Sequence, residues 1–202
     1  MQASVILAHP DPTSFNHAIA EKVVTTLSAA NVRVNFHDLY RERFEPLLPR
    51  GEIPRDVALP ELVETHCWEI GEADLIIVIH PNWWGQPPAI LKGWVDRVIR
   101  PGVAYEFLDG DSGEGVPVGL LRANKALVFN TSNTGTVREK EVFGDPLETI
   151  WKNCIFGLCG VGEVRRKTFS IVVTSSAEQR RGWLEEVSEV VEEACSRVSE
   201  RQ

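Results

Sequence analysis

The stretch LIIVIHPNWWGQPPAILKGW, residues 75–94, changes character twice. Leu75-Ile76-Ile77-Val78-Ile79 is a short apolar run, mostly β-branched, which is how a strand buried on both faces reads. It predicts a strand over Leu75–His80. Beyond Pro87-Pro88 the apolar residues Ile90, Leu91, Trp94, Val95 and Val98 recur at helical spacing, which predicts a helix over Ala89–Ile99. A loop lies between them and carries two adjacent tryptophans, Trp83 and Trp84. Loops run over the surface. The two indoles therefore either pack beneath neighbouring helices, the usual fate of an isolated Trp, or wait to be covered by something flat.

The same alternation repeats outward along the chain. Strands are expected at Ser4–Ala8, Val32–Asp38, Leu75–His80, Lys125–Thr131 and Val164–Val173. Helices are expected at Phe15–Ser28, Glu61–Ala73 and Ala89–Ile99. Asp145-Pro146-Leu147-Glu148 reads as a capped helix start, with the helix running to about Leu158 before Gly160. Ser176-Ala177-Glu178-Gln179 reads as a second capping box, opening a helix to about Val198. Arg41–Pro60 and Asp109–Gly119 read as loops, the latter a possible lid. Alternating strands and helices imply a parallel sheet covered on both faces, and right-handed crossovers leave few topologies. The expected fold is α/β, a flavodoxin-like doubly wound five-stranded parallel sheet of order 2-1-3-4-5. Such sheets bind ligands beyond the carboxyl ends of their strands, where the strand order reverses. Here that point lies between the first and third strands.

Composition narrows the functional classes. The chain has 202 residues and a net charge of −8. The length suits one domain, taken as residues 1–202. The negative charge argues against nucleic acid, whose binding depends on neutralising phosphates. The basic run Arg165-Arg166-Lys167 reads as a solvated strand entrance. No apolar run approaches the ~20 residues that span a bilayer, and the N-terminus lacks the basic start of a signal peptide. A cytoplasmic location is expected. Four cysteines, Cys67, Cys154, Cys159 and Cys195, form no CxxC pair. Disulfides and zinc are not expected, and Cys154 and Cys195 read as small buried side chains.

Three loops would meet at the switch point. After the first strand comes His9-Pro10-Asp11-Pro12-Thr13-Ser14-Phe15-Asn16. It has no glycine, which excludes a Rossmann turn and a P-loop. It still feeds a helix N-terminus whose first amides are free, with Thr13, Ser14 and Asn16 as added donors, a natural phosphate site. The plainer reading makes Thr13 or Ser14 an N-cap. The loop after the third strand brings Trp83 and Trp84, whose faces suit a planar heteroaromatic ring. The loop after the fourth strand is Thr131-Ser132-Asn133-Thr134-Gly135, small and rich in donors.

LAHPDPTSFNHA, DLYRERFEPLL, PNWWGQPPAILKGWVDRV, PGVAYEF and FGLCGV, occurring in that order, resemble the NAD(P)H:quinone oxidoreductase (DT-diaphorase-like) family of flavodoxin-like flavoproteins. The resemblance covers Ser4 to about Val173. It implies a tightly bound flavin, a homodimer, and reduction of quinones or similar acceptors by NADH or NADPH. It places the flavin phosphate or pyrophosphate at His9, Thr13, Ser14, Phe15, Asn16 and His17. It places the isoalloxazine edge at Pro81, Asn82, Trp83, Trp84 and Gly85, and ring contacts at Thr131, Ser132, Asn133 and Thr134, where the family has TTGG-type residues. The stretch between Arg50 and Glu61 is shorter than in the larger members, which implies FMN, with FAD the alternative. The family's Tyr and His after the TTGG loop have no counterpart in Val137–Asp145, so no catalytic side chain is transferred. Trp84 and Tyr105 are the candidates for the substrate-pocket wall. Ping-pong turnover follows from a single open face above the ring. The rival readings are a flavodoxin-type electron carrier and a flavin-binding regulatory subunit of a membrane potassium-efflux system.

Overall fold

The computed structural model describes residues 1–108 and 115–199. Its main sheet contains β1 (Gln2–Leu7), β2 (Arg33–Asp38), β3 (Leu75–Pro81), β6 (Lys125–Ser132) and β7 (Glu163–Ser170). All pairings are parallel and the order is β2-β1-β3-β6-β7. A two-stranded antiparallel hairpin, β4 (Tyr105–Glu106) and β5 (Val118–Gly119), stands apart. In chain order the five sheet strands run 2-1-3-4-5, as the sequence predicts.

The apolar run at 75–79 is the centre of the sheet. Ala3–Leu7 pairs with it on one side and Lys125–Phe129 on the other. Its side chains alternate between two cores. Ile76 and Val78 face a cluster containing Ile6, Val128, Leu91, Trp94 and Trp151. Leu75, Ile77 and Ile79 face one containing Val5, Leu127, Ile19, Val23, Val187 and Val191. The helices α2 (Glu61–Gly71) and α3 (Ala89–Val98) cover the first face. The helices α1 (Phe15–Ala29) and α6 (Ala177–Ser199) cover the second. Each fully buried aliphatic side chain contributes roughly 1.5–3 kcal/mol, so both faces favour a hydrophobic run over an alternating one.

The Arg41–Pro60 segment is a loop with a single 3-10 turn, Arg50–Glu52, and α3 ties it down. Arg97 donates to both carboxylate oxygens of Glu52, Nε at 2.8 Å and Nη2 at 2.6 Å, and to the Glu45 carbonyl. Arg100 donates to the carbonyls of Glu52 and Pro54. Gly93 lets this loop approach, because a Cβ there would overlap the backbone of Pro46.

Several expectations need correction. Asp145 does not cap a helix. It lies at φ 48° with no capping bond, because its carboxylate pairs with Arg166. The helix that follows, α5 (Pro146–Thr149), continues as a wider π-type turn over Ile150–Gly157. Arg166 is therefore no solvated strand entrance. Its guanidinium also donates to Glu148 at 2.9 Å and to Thr168 Oγ1 at 2.8 Å. A short helix, α4 (Thr136–Glu141), occupies a stretch with no predicted element. The last strand stops at Ser170, where Ile171 turns left-handed at φ 61°. Val118–Gly119 is strand rather than loop, and residues 109–114 of the expected loop lie outside the described residues. Cys154 is exposed, while Cys67, Cys159 and Cys195 are buried. The Ser176 cap stands, accepting from the Gln179 amide at 3.1 Å.

Candidate active site

β1, β3 and β6 deliver their three following loops to one edge of the sheet. There a cavity of about 430 Å³ is lined by His9, Thr13, Ser14, Phe15, Asn16, Pro81, Asn82, Trp83, Thr131, Ser132, Asn133 and Thr134, joined by Val172, Val173 and Arg180. Its size is that of a small-molecule site, roughly 300–1,000 Å³. A second cavity of about 480 Å³ adjoins it, sharing Asn82 and Thr134, with Trp84, Gly85, Glu139, Phe143 and Pro146 as its other walls. Among the expected site residues, His17 lines neither cavity. It stands behind Ser14, with Nδ1 at 3.0 Å from Ser14 Oγ and Nε2 at 3.2 Å from Asp38. Tyr105 lies in a separate cavity beside Val95, Ile99, Ile155 and Leu158, so it does not wall the same pocket as Trp84. The crossover helix α3 has by then carried the chain back across the sheet.

The first loop holds the expected cap and leaves two backbone donors open. Ser14 is the N-cap of α1, its hydroxyl accepting from the His17 amide at 3.4 Å. Thr13 is also engaged, since its amide and hydroxyl both donate to Asp11 Oδ1, at 2.8 and 2.7 Å. Those two bonds hold the Asp11 carboxyl below its ordinary range. The free donors are the Phe15 and Asn16 amides, which have no acceptor in the first turn. The Asn16 side chain does not reach for a phosphate. It is buried, and its amide donates to Thr131 Oγ1 at 2.8 Å, while Oδ1 is buried with no partner among the described residues. Arg180 brings a cationic side chain to the wall of this cavity. Its guanidinium is oriented by Ser175 Oγ at 2.8 Å and the Val172 carbonyl at 2.9 Å, and lies 5.9 Å from the Phe15 ring. Sequence reasoning missed it. The available signal was a basic residue in the first turn of α6, where a helix favours anions.

The tryptophan loop is a tight reversal. Trp83 and Gln86 exchange backbone bonds at 3.1 and 3.0 Å. Trp84 and Gly85 between them both have positive φ, 57° and 71°, the pattern of a type I′ turn. Gly85 is required, since a Cβ would lie 2.7 Å from Pro146 Cγ. A bulky residue with positive φ is strained, and such strain gathers at functional sites. Asn82 holds the turn, accepting from the Gly85 amide at 2.9 Å. Trp83 is 42% exposed and lies 6.0 Å from the His9 ring, while Trp84 is 101% exposed. Neither is packed beneath a helix. The amides of Asn82, Trp83, Gly85 and Thr134 already have protein acceptors. Among the described residues, the Trp84, Asn133 and Gly135 amides in these two loops have no protein acceptor.

Beneath the site sits a closed polar network. His80 is fully buried and accepts at Nε2 from Trp151 Nε1 at 2.9 Å and from Asn130 Nδ2 at 2.8 Å. Its Nδ1–H donates to the Pro81 carbonyl at 2.8 Å. Burial pushes its pKa down to about 4, and the Arg166 cation adds to this. The unfolded value is 6.5, so the folded state binds fewer protons between the two. Stability then falls as pH drops through that window, by at most about 1.4 kcal/mol per pH unit. Ring-nitrogen NMR at pH 5.5 is expected to find His80 neutral. A doubly protonated ring there would contradict this network.

A second histidine cluster, His37, Glu42 and His66, has metal-like spacing. Its hydrogen bonds read otherwise. Trp94 Nε1 donates to His66 Nδ1 at 2.8 Å, which leaves the proton of a neutral ring on Nε2, 3.3 Å from Glu42. His37 is flanked by the Glu42 and Glu69 carboxylates, which raise its pKa against the effect of burial. This is an ion-paired clasp between the loop and α2.

The fold agrees with the chain's relatives. A family model described as a flavodoxin-like fold matches residues 1–191. The chain belongs to that family. A Haemophilus influenzae protein named an uncharacterized NAD(P)H oxidoreductase is 33% identical to this flavodoxin-like chain over 92% of its length and 91% of the relative's. A ribosyldihydronicotinamide dehydrogenase [quinone] of Pongo abelii is 30% identical over 88% and 85%. Among solved structures, an NAD(P)H:quinone oxidoreductase from Methanothermobacter marburgensis superposes with a TM-score of 0.77 at 28% identity, covering 95% of each chain. In this family's frame, the described residues contain no helix long and apolar enough to cross a membrane.

Proposed function

We propose that this flavodoxin-like chain is a flavin-dependent NAD(P)H oxidoreductase that passes hydride to a quinone or a similar small acceptor. One observation carries the reading. The cavity at the switch point joins free first-turn amides and an oriented guanidinium with the indole of Trp83. That donor set fits a flavin, with the Phe15 and Asn16 amides and Arg180 for the phosphate. Pro81–Gly85 and Thr131–Thr134 are the proposed ring contacts. The names of the relatives support the hydride donor and the quinone acceptor.

When bound, the flavin supplies two-electron hydride chemistry, and the protein supplies position and charge. FMN is proposed over FAD because the Arg50–Glu61 stretch is short. The Trp84 and Asn133 amides would stabilise negative charge on a bound flavin ring. A homodimer is proposed because Trp84, Val137, Val142 and Phe143 leave apolar surface beside the second cavity. The reading extends to a single flavin-binding domain over residues 1–202 and a cytoplasmic enzyme.

Titration of the purified protein with FMN and FAD tests the cofactor. A Kd below roughly 10 μM, about 7 kcal/mol, is expected for FMN, and no binding of either flavin at that level would contradict the proposal. Steady-state rates at several fixed quinone concentrations are expected to give parallel double-reciprocal lines. Intersecting lines would mean both substrates are held at once, against the single shared face.

A further inference from the structure

The second cavity has a feature that a quinone site does not call for. Glu139, on α4, lines it although the residue is only 7% exposed. Its Oε1 accepts from Asn82 Nδ2 at 2.9 Å. No Lys, Arg or His forms an ion pair with it among the described residues. Lys140, the next residue on α4, is exposed and does not line the cavity. Arg166 is committed to Asp145 and Glu148. Arg138 lies over the Phe143 ring at 5.6 Å and does not line the cavity. A buried carboxylate without a cation is costly. Here it opens onto a space walled by aromatic residues, the fully exposed Trp84 and the half-exposed Phe143. Aromatic faces beside a carboxylate attract organic cations, through the ring quadrupole and through direct charge.

We propose that the second cavity receives planar aromatic acceptors bearing a positive charge, with Glu139 as the charge-selecting residue. This rests on the oxidoreductase reading. A quinone offers only carbonyl oxygens, which the carboxylate repels, and an anionic quinone is repelled further. A cationic acceptor is attracted, and the reaction then removes the attraction. NAD(P)H gives up a hydride and becomes NAD(P)⁺. The acceptor cation takes that hydride, two electrons and one proton, and becomes neutral. Glu139 therefore holds the oxidised acceptor more tightly than the reduced product, which favours release. The same carboxylate holds Asn82, and through it the Gly85 amide, so the selecting charge also braces the tryptophan turn.

Glu139→Gln separates these two roles, because the amide oxygen can still accept from Asn82 while the charge is lost. The probes are methylene blue as the cation, menadione as the uncharged acceptor and naphthoquinone-2-sulfonate as the anion. In the flavin-loaded protein, the ratio of kcat/KM for methylene blue over menadione is expected to fall about tenfold in Glu139→Gln, or about 1.4 kcal/mol. The ratio for the sulfonate over menadione is expected to rise. Glu141→Gln, which removes an exposed charge from the same helix, controls for overall charge. Equilibrium binding of methylene blue, followed by its absorbance shift, is expected to weaken by a similar factor in Glu139→Gln alone. Ratios and dye affinity that stay within twofold of the parent, or that change equally in both variants, would overturn the proposal. If no acceptor is reduced by the parent protein, the oxidoreductase reading fails. The dye-binding comparison then still decides the role of Glu139, an unchanged affinity counting against it and a loss confined to Glu139→Gln supporting it.

Discussion

Arg97→Ala is expected to lower the stability of the folded chain by about 3–5 kcal/mol, the range for removing one partner of a buried ion pair. Arg97 is 4% exposed and Glu52 7%. The guanidinium donates to both Glu52 oxygens and to the Glu45 carbonyl, and covers the Phe44 ring at 5.4 Å. Truncation leaves the Glu52 carboxylate buried without a cation and frees the loop between β2 and α2. Urea unfolding of the single variants and of the double variant Arg97→Met/Glu52→Leu checks this. The double variant is expected to recover most of the loss, since an apolar pair of similar volume does not strand a charge. A loss below 1 kcal/mol for Arg97→Ala would show that the pair is open to water.

The second large effect is on cofactor retention. Arg180→Ala is expected to weaken FMN binding by about 10–100-fold, which corresponds to one charge-assisted hydrogen bond of roughly 1.5–3 kcal/mol. Riboflavin, which lacks the phosphate, isolates the cause. Its affinity is expected to be nearly the same in parent and variant. Fluorescence titration with both ligands measures the difference. An equal loss for FMN and riboflavin would place Arg180 against the ring or in the scaffold, and the phosphate elsewhere.

What was legible in the sequence follows from which forces are local. The centre of the sheet was legible because Leu75–Ile79 carries its whole requirement in its own side chains, a strand buried on two faces. The three loops were legible because the order of strands fixes where they meet. Pairings across the fold were not. Asp145-Pro146-Leu147-Glu148 has the composition of a helix cap, but Arg166, distant in sequence, takes both acids. Arg166 read as solvated for the same reason. Thr13 and Ser14 line the cavity, yet the Thr13 donors and the Ser14 amide are spent on Asp11 and the Ser14 hydroxyl accepts at the cap, pairings that composition does not show. Asn16 reads as a surface donor and is a buried strut to Thr131. Two-residue strands such as Tyr105–Glu106 and six-residue helices such as Thr136–Glu141 are too short to show a period. Glu139 escaped notice among the charges of VREKEVFGD, because nothing local distinguishes the one that turns inward.

The most direct test of the account is a single turnover without oxygen. The purified protein is loaded with FMN, mixed with one equivalent of NADH or NADPH, and its flavin absorbance followed in a stopped-flow instrument, with menadione added afterwards. The account predicts that the absorbance bleaches within the time of an ordinary enzymatic turnover, on the order of 1 per second or faster, and returns when menadione is added. Bleaching slower than about 0.01 per second with both nucleotides, far below the usual enzyme range, would contradict it and leave a flavin carrier that needs a partner to be reduced.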